Sequence, residues 1–183
     1  MNKIFFVTGV NGVGKSTIIP HLKAILSENY FVIHDFDSRG VPPDADRNWR
    51  ILETKYWISE GKRLSEEKST VICGFIKPSD LEEYDLISSD LPEVVLILLH
   101  AKPEIIKERL ISRYTKNGIF NETQKVIGKP INEFINGNVW FADQIKNEFE
   151  QAGFSIVDTS SLIPKEAAKE VFKIISEKIN KEF

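Results

Sequence analysis

Residues Gly9-Val10-Asn11-Gly12-Val13-Gly14-Lys15-Ser16 match the pattern G-x-x-x-x-G-K-[ST] at every fixed position. Gly9, Gly12 and Gly14 free the backbone for torsions that side chains forbid. The amides of the loop, Asn11 and Val13 included, can then turn inward as an anion nest, and the helix that follows adds the positive end of its dipole. Lys15 reaches the β- and γ-phosphates and the Ser16 hydroxyl coordinates magnesium, while Thr17 is placed to add a hydroxyl near the α-phosphate. The pattern predicts binding of a nucleoside triphosphate, ATP with Mg2+. A glycine-rich turn matching by accident would not be expected to follow a strand and open an amphipathic helix, as this one does.

The remaining polar motifs narrow the chemistry. No guanine-reading Asn-Lys-x-Asp is present, and neither apolar strand that could carry a magnesium-positioning acid ends in one: Thr70–Cys73 runs into Gly-Phe, and Val94–Leu99 into His-Ala-Lys. A phosphoryl-transfer enzyme whose nucleophile is an acceptor hydroxyl needs less than a hydrolase. His34-Asp35-Phe36-Asp37 supplies a pair of acids, one able to hold magnesium through water and the other to take or orient the acceptor's proton; an acidic turn with solvated carboxylates is the plainer reading. Glu108-Arg109-Leu110-Ile111-Ser112-Arg113 carries two arginines four residues apart, suited to stack on a base and to grip phosphate, although such a pair often lies on a wet helix face. Ile156-Val157-Asp158-Thr159-Ser160 is a strand leading into a polar turn, which a helix cap before Pro164 explains equally well.

Taken in order, these segments resemble the small P-loop kinases. His34–Asp37 is similar to the Asp-x-Asp of shikimate, gluconate and adenylylsulfate kinases, and Glu108–Arg113 to the segment that opens the lid of adenylate kinase. The resemblance implies that Arg109 stacks on adenine, that Arg113 touches the transferring phosphate, and that Thr159 and Ser160 line the adenine edge. It implies Lys15, Asp37 and Arg113 as catalytic residues, and Ser16 and Asp35 as the magnesium site. Val71-Ile72-Cys73-Gly74-Phe75 departs from the Asp-Gly-Phe-Pro-Arg of adenylate kinases: Cys73 stands in place of the acid, and Lys77 is near the arginine position. That departure favours the Asp-x-Asp group. The acceptor is expected between Asp37 and Gly74, with Asp35, Arg39, Arg50 and Gly74 as contacts, Arg47 and Lys77 as further candidates, and Trp49, Tyr56 and Trp57 either walling the pocket or filling the core. The expected reaction is transfer of the γ-phosphoryl group of ATP to a hydroxylated small molecule; a nucleoside or nucleoside monophosphate kinase and a non-catalytic ATP-binding regulator are the alternatives.

Short apolar runs alternating with amphipathic stretches predict βα units that carry these motifs at strand ends. Strands are expected at Lys3–Thr8, Phe31–His34, Thr70–Cys73, Val94–His100 and Phe154–Val157. Helices are expected at Lys15–Ser27, with a kink at Pro20, at Arg47–Leu64, from Pro103, at Asn132–Phe149 and from Pro164. The fold class is α/β: a three-layer P-loop NTPase fold with a parallel five-stranded sheet, helices on both faces, and a lid over the polar, glycine-containing segment 114–138. The 183 residues form one expected domain, 42% apolar with a net charge of −3. No charged block points to nucleic acid and no apolar run to a membrane. A single cysteine excludes an intramolecular disulfide. The expected protein is a cytoplasmic monomer or homodimer whose partner is its small-molecule acceptor.

Overall fold

The computed structural model describes residues 2–86, 92–115, 128 and 130–180. Five strands form its sheet: β1 (Ile4–Thr8), β2 (Phe31–Asp35), β3 (Ser69–Cys73), β4 (Val94–His100) and β5 (Ser155–Asp158). The helices are α1 (Lys15–Ile25), α2 (Arg47–Leu64), α3 (Pro78–Glu83), α4 (Pro103–Thr115), α5 (Ile131–Gln151) and α6 (Pro164–Asn180), with a 3-10 turn at Phe36–Arg39. All strand pairings are parallel, in the order β2-β3-β1-β4-β5. β1 is central, and every one of its residues is buried, which is why it reads as an uninterrupted apolar run.

Right-handed crossovers dictate the layers. The chain leaves β1 for the far edge through α1, and every later crossover moves the other way. α1 therefore lies on one face, where α6 packs against it, and α2, α4 and α5 cover the other. The helices start where local chemistry allows. Asp46 caps α2 by accepting from Trp49 N at 2.8 Å, and Glu166 accepts from Ile163 N at 3.1 Å beside the start of α6. α1 has no side-chain cap: Gly14 precedes it with φ 104°, so its first amides stay open toward the sheet's C-terminal edge.

The expected strands and helices are present, most with ends shifted by a residue or two. Two short elements are additions: the 3-10 turn and α3, in which Asp80 accepts from Lys77 N at 2.9 Å. α1 runs continuously through Pro20. Of the segment expected as a lid, residues 114–115 belong to α4 and 131–138 to α5, while 116–127 lie outside the described residues. Among the described residues no helix is long and apolar enough to cross a membrane.

One packing contact sets the shape of the acidic turn. Phe36 is buried against Gly74, where an added Cβ would meet Phe36 Cβ at 2.2 Å. This internal contact requires a glycine at 74, a position expected from the sequence to contact the acceptor. Gly74→Ala should lower stability by about 1–3 kcal/mol through overpacking. Gly137→Ala, in open space within α5, should raise it by roughly 0.5–1 kcal/mol through helix propensity. Urea midpoints at constant slope would check both.

Candidate active site

The site lies at the C-terminal edge of the sheet, where the chain moves to opposite sides of β1; parallel α/β sheets open a crevice at such a point. β1 ends in the glycine loop. Gly9, Gly12 and Gly14 have φ of 143°, 90° and 104°, as their spacing predicts. Gly9 also lies so close to β4 that an added Cβ would meet the Leu99 carbonyl at 2.3 Å. Thr8 pins the loop after β3: its hydroxyl donates to Ile76 O at 2.7 Å and accepts from Ile76 N at 2.9 Å.

A cavity of about 440 Å³ opens over the loop. Asn11, Gly12, Val13, Gly14, Lys15, Ser16, Thr17 and Ile18 line it from the loop and α1, joined by Asp37 from the turn after β2 and by Arg109, Arg113 and Thr159 from α4 and the end of β5. The Lys15 ammonium is enclosed, donating to the carbonyls of Gly9 at 2.7 Å and Val10 at 3.0 Å. Desolvation pulls its pKa down to about 8, opposed by the negative charge of Asp37 and reinforced by Arg50 and Arg113. Asp37 is shifted up, first by its own burial and then by Asp35, against the pull of Arg50 and Lys15. Lys15 and Asp37 thus share one electrostatic environment, with Arg50 at its margin. Asp35 accepts from Asp37 N at 3.1 Å through one carboxylate oxygen.

Thr159 is a knot in this lining. It is 2% exposed. Its amide donates to His100 O at 2.7 Å, and its hydroxyl lies 3.0 Å from that carbonyl and 3.2 Å from Val13 O. Arg109 donates to the Thr159 hydroxyl at 3.1 Å and to its carbonyl at 2.7 Å. The residue thus ties β4, β5, the glycine loop and α4 together, and holds the guanidinium flat along the cavity wall.

Other expected residues lie apart. Ser160 is turned away from the cavity, its hydroxyl held by Asp158 and accepting from Lys102 N at 2.8 Å; an Asx turn uses it up. Arg39, expected as an acceptor contact, pairs with Glu53 at 2.9 Å and lies 3.6 Å over the Tyr56 ring. Arg47 pairs with Glu83, and Lys77 with Asp80 at 3.7 Å. Trp57 is core, its indole donating to Phe36 O at 3.1 Å. Trp49 is partly buried against Phe36, and Tyr56 is 40% exposed. Cys73 is buried and its thiol pushed up to about 12 by desolvation, so it supplies no anion in place of the missing acid. His34 sits against Trp57 at 4.6 Å, and burial lowers its pKa.

Four wall residues escaped the sequence reading: Ile18, and Leu162, Pro164 and Ala167, which follow Thr159 in the chain. Pro164 reads in the sequence only as a helix start, and only its place shortly after β5 could have marked it. Asn138 is a further omission, outside the cavity lining: its side-chain oxygen accepts from Asn11 N at 3.1 Å.

No protein-family model matches the chain. A Pyrococcus abyssi (strain GE5 / Orsay) protein named "Putative adenylate kinase" is 29% identical over 174 residues, covering 92% of this chain and 82% of that protein. The shikimate kinase of Acinetobacter baumannii in complex with shikimate superposes with a TM-score of 0.58 at 12% identity, over 97% of this chain and 95% of that one. A sugar kinase from Janibacter sp. HTCC2649 gives 0.56 at 14% identity, over 96% and 95%. The structural likenesses are likenesses of fold. With the Pyrococcus relative they bear out the resemblance to small P-loop kinases and the phosphotransferase class that it implied, and they leave the acceptor open.

Two outcomes test this geometry. Thr159→Val keeps the shape and removes the hydroxyl, so nucleotide affinity should fall about tenfold, the worth of a hydrogen bond to a charged group; Thr159→Ser should restore it in an equilibrium titration. A bound phosphate favours protonated Lys15. ATP affinity should therefore be level below about pH 8 and fall above it by up to roughly tenfold per pH unit, measured by titration between pH 7 and 9.

Proposed function

We propose that this chain is an ATP- and magnesium-dependent kinase that phosphorylates a hydroxyl of a small-molecule acceptor. The observation that carries the reading is the placement of Asp37, with its raised pKa, in the same cavity as Lys15. A carboxylate tuned upward and facing a phosphate-binding lysine is suited to general-base work. Asp37 would accept the acceptor's hydroxyl proton as that oxygen bonds to the γ-phosphorus and the bond to the β,γ-bridging oxygen breaks, leaving ADP. Lys15 and Arg113 would neutralise charge on the transferring group. Gly9 would position Lys15 from below, the loop amides would cradle the phosphates, and Arg109 would face the base across the apolar wall of Leu162, Pro164 and Ala167.

The donor set fits magnesium of the substrate-borne kind. Among the described residues no group of three or more His, Cys, Asp or Glu could hold a metal, and magnesium in such sites takes one or two protein oxygens, with phosphates and waters completing its shell. The Ser16 hydroxyl and the second oxygen of Asp35 would hold it, and when bound it would offset negative charge on the phosphates.

A second reading, a nucleoside monophosphate kinase, draws on the name of the Pyrococcus relative and on Arg50. The guanidinium of Arg50 lies 5.4 Å from the Phe75 ring centroid and 6.0 Å from that of Trp49, a cation framed by aromatics where an anionic acceptor would enter. A panel of sugars, shikimate-like acids, nucleosides and nucleoside monophosphates, scored for acceptor-dependent ADP release, separates the two. Tight ATP binding with no transfer to any acceptor would instead leave a regulator. With the acceptor in hand, Asp37→Ala should abolish transfer, by about 10²–10⁴-fold, while ATP binding stays near that of the parent; surviving transfer would remove Asp37 from the role of base.

A further inference from the structure

We propose that the Asn138 carboxamide binds the terminal phosphate of the nucleotide, making α5 a direct contributor to the donor site. The proposal rests on the nucleotide reading of the glycine loop and adds a residue from outside every motif. Asn138 lies 127 positions from Asn11, yet its Oδ1 accepts from Asn11 N at 3.1 Å. The neighbouring carbonyls of that same limb, Gly9 and Val10, hold the Lys15 ammonium. Because the loop lysine reaches the β- and γ-phosphates, this limb marks the terminal-phosphate end of the cavity.

The carboxamide is fixed against Asn11, which lines the cavity. Its Nδ2 donates to Phe134 O at 2.9 Å within the helix. One turn to either side, Phe134 packs edge-on to Tyr114 and Phe141 lies against Phe75. Buried Ile135, Ala142 and Ile145 seat α5 on the sheet. An amide nitrogen carries two hydrogens, and the bond to Phe134 uses one. The second is a donor held beside the Asn11 amide, in the loop that lines the cavity. Being neutral, the Asn138 carboxamide adds no charge to the site, and it presents an acceptor to the loop and a donor to phosphate at once.

Equilibrium titration of the parent, Asn138→Ala and Asn138→Asp with ADP and with the non-hydrolysable β,γ-imido analogue of ATP tests this. Asn138→Ala should bind the triphosphate analogue about tenfold more weakly, the worth of one hydrogen bond to a charged group, and ADP almost as the parent does. Asn138→Asp keeps an acceptor for Asn11 N but turns a negative charge toward phosphate, so it should lose more triphosphate affinity than the alanine variant. Equal losses for both nucleotides, or an aspartate variant that binds like the parent, would overturn the proposal and leave Asn138 a structural clasp. A parent that binds neither nucleotide would remove the nucleotide reading and this proposal together. Unchanged thermal midpoints would show that the variants are folded.

Discussion

The Lys15 ammonium rests on the carbonyls of Gly9 and Val10, and the site is arranged around that contact. Burying a charge among backbone dipoles is costly unless they are aimed at it. Three left-handed glycines, the strand before them and the uncapped start of α1 do the aiming. The depressed titration of Lys15 records what remains uncompensated, and an incoming phosphate would relieve it. Arg113 adds like charge to the same enclosure, and Asp37 partly offsets it. Binding energy is thus stored as unpaired positive potential, held by a sheet rigid enough not to collapse upon it.

The loop was legible because eight consecutive residues encode it. Local motifs also marked Asp37 and the Arg109/Arg113 pair, which line the cavity, the arginine spacing putting both on one side of α4. Strands with β-branched and aromatic runs were also legible, and their ends were off by a residue or two because burial fades gradually there. What could not be read depends on pairs far apart in the chain. Thr159 and Arg109 are separated by 50 positions and Asn11 and Asn138 by 127. No local pattern distinguishes the hydroxyl of Thr159, which ties four elements together, from that of Ser160, which closes an Asx turn. Arg39 shows the same limit: its ion pair with Glu53, on a different element, leaves no trace in the acidic motif beside it.

The two halves of the site are built differently. The proposed donor side consists mainly of backbone groups fixed by sheet register and glycine torsions. The proposed acceptor side would consist of side chains on α2 and on the loop after β3, with Arg50 among Trp49 and Phe75. Backbone geometry survives most substitutions, whereas a side-chain pocket changes with each. A site built this way can keep its backbone cradle while its side-chain pocket diverges.

Phe36 has a further consequence. It is buried between the two carboxylates, pressed on Gly74, and its carbonyl accepts the Trp57 indole. Asp35 and Asp37 hang from either end of this wedge, so neither can shift without the other. In the proposed kinase the wedge would work as a ruler: the depth at which an acceptor oxygen met Asp37, relative to a cation at Asp35, would be set by a hydrocarbon ring that touches neither. Molecules whose reactive oxygen falls short of that depth would be rejected by length alone, whatever their charge.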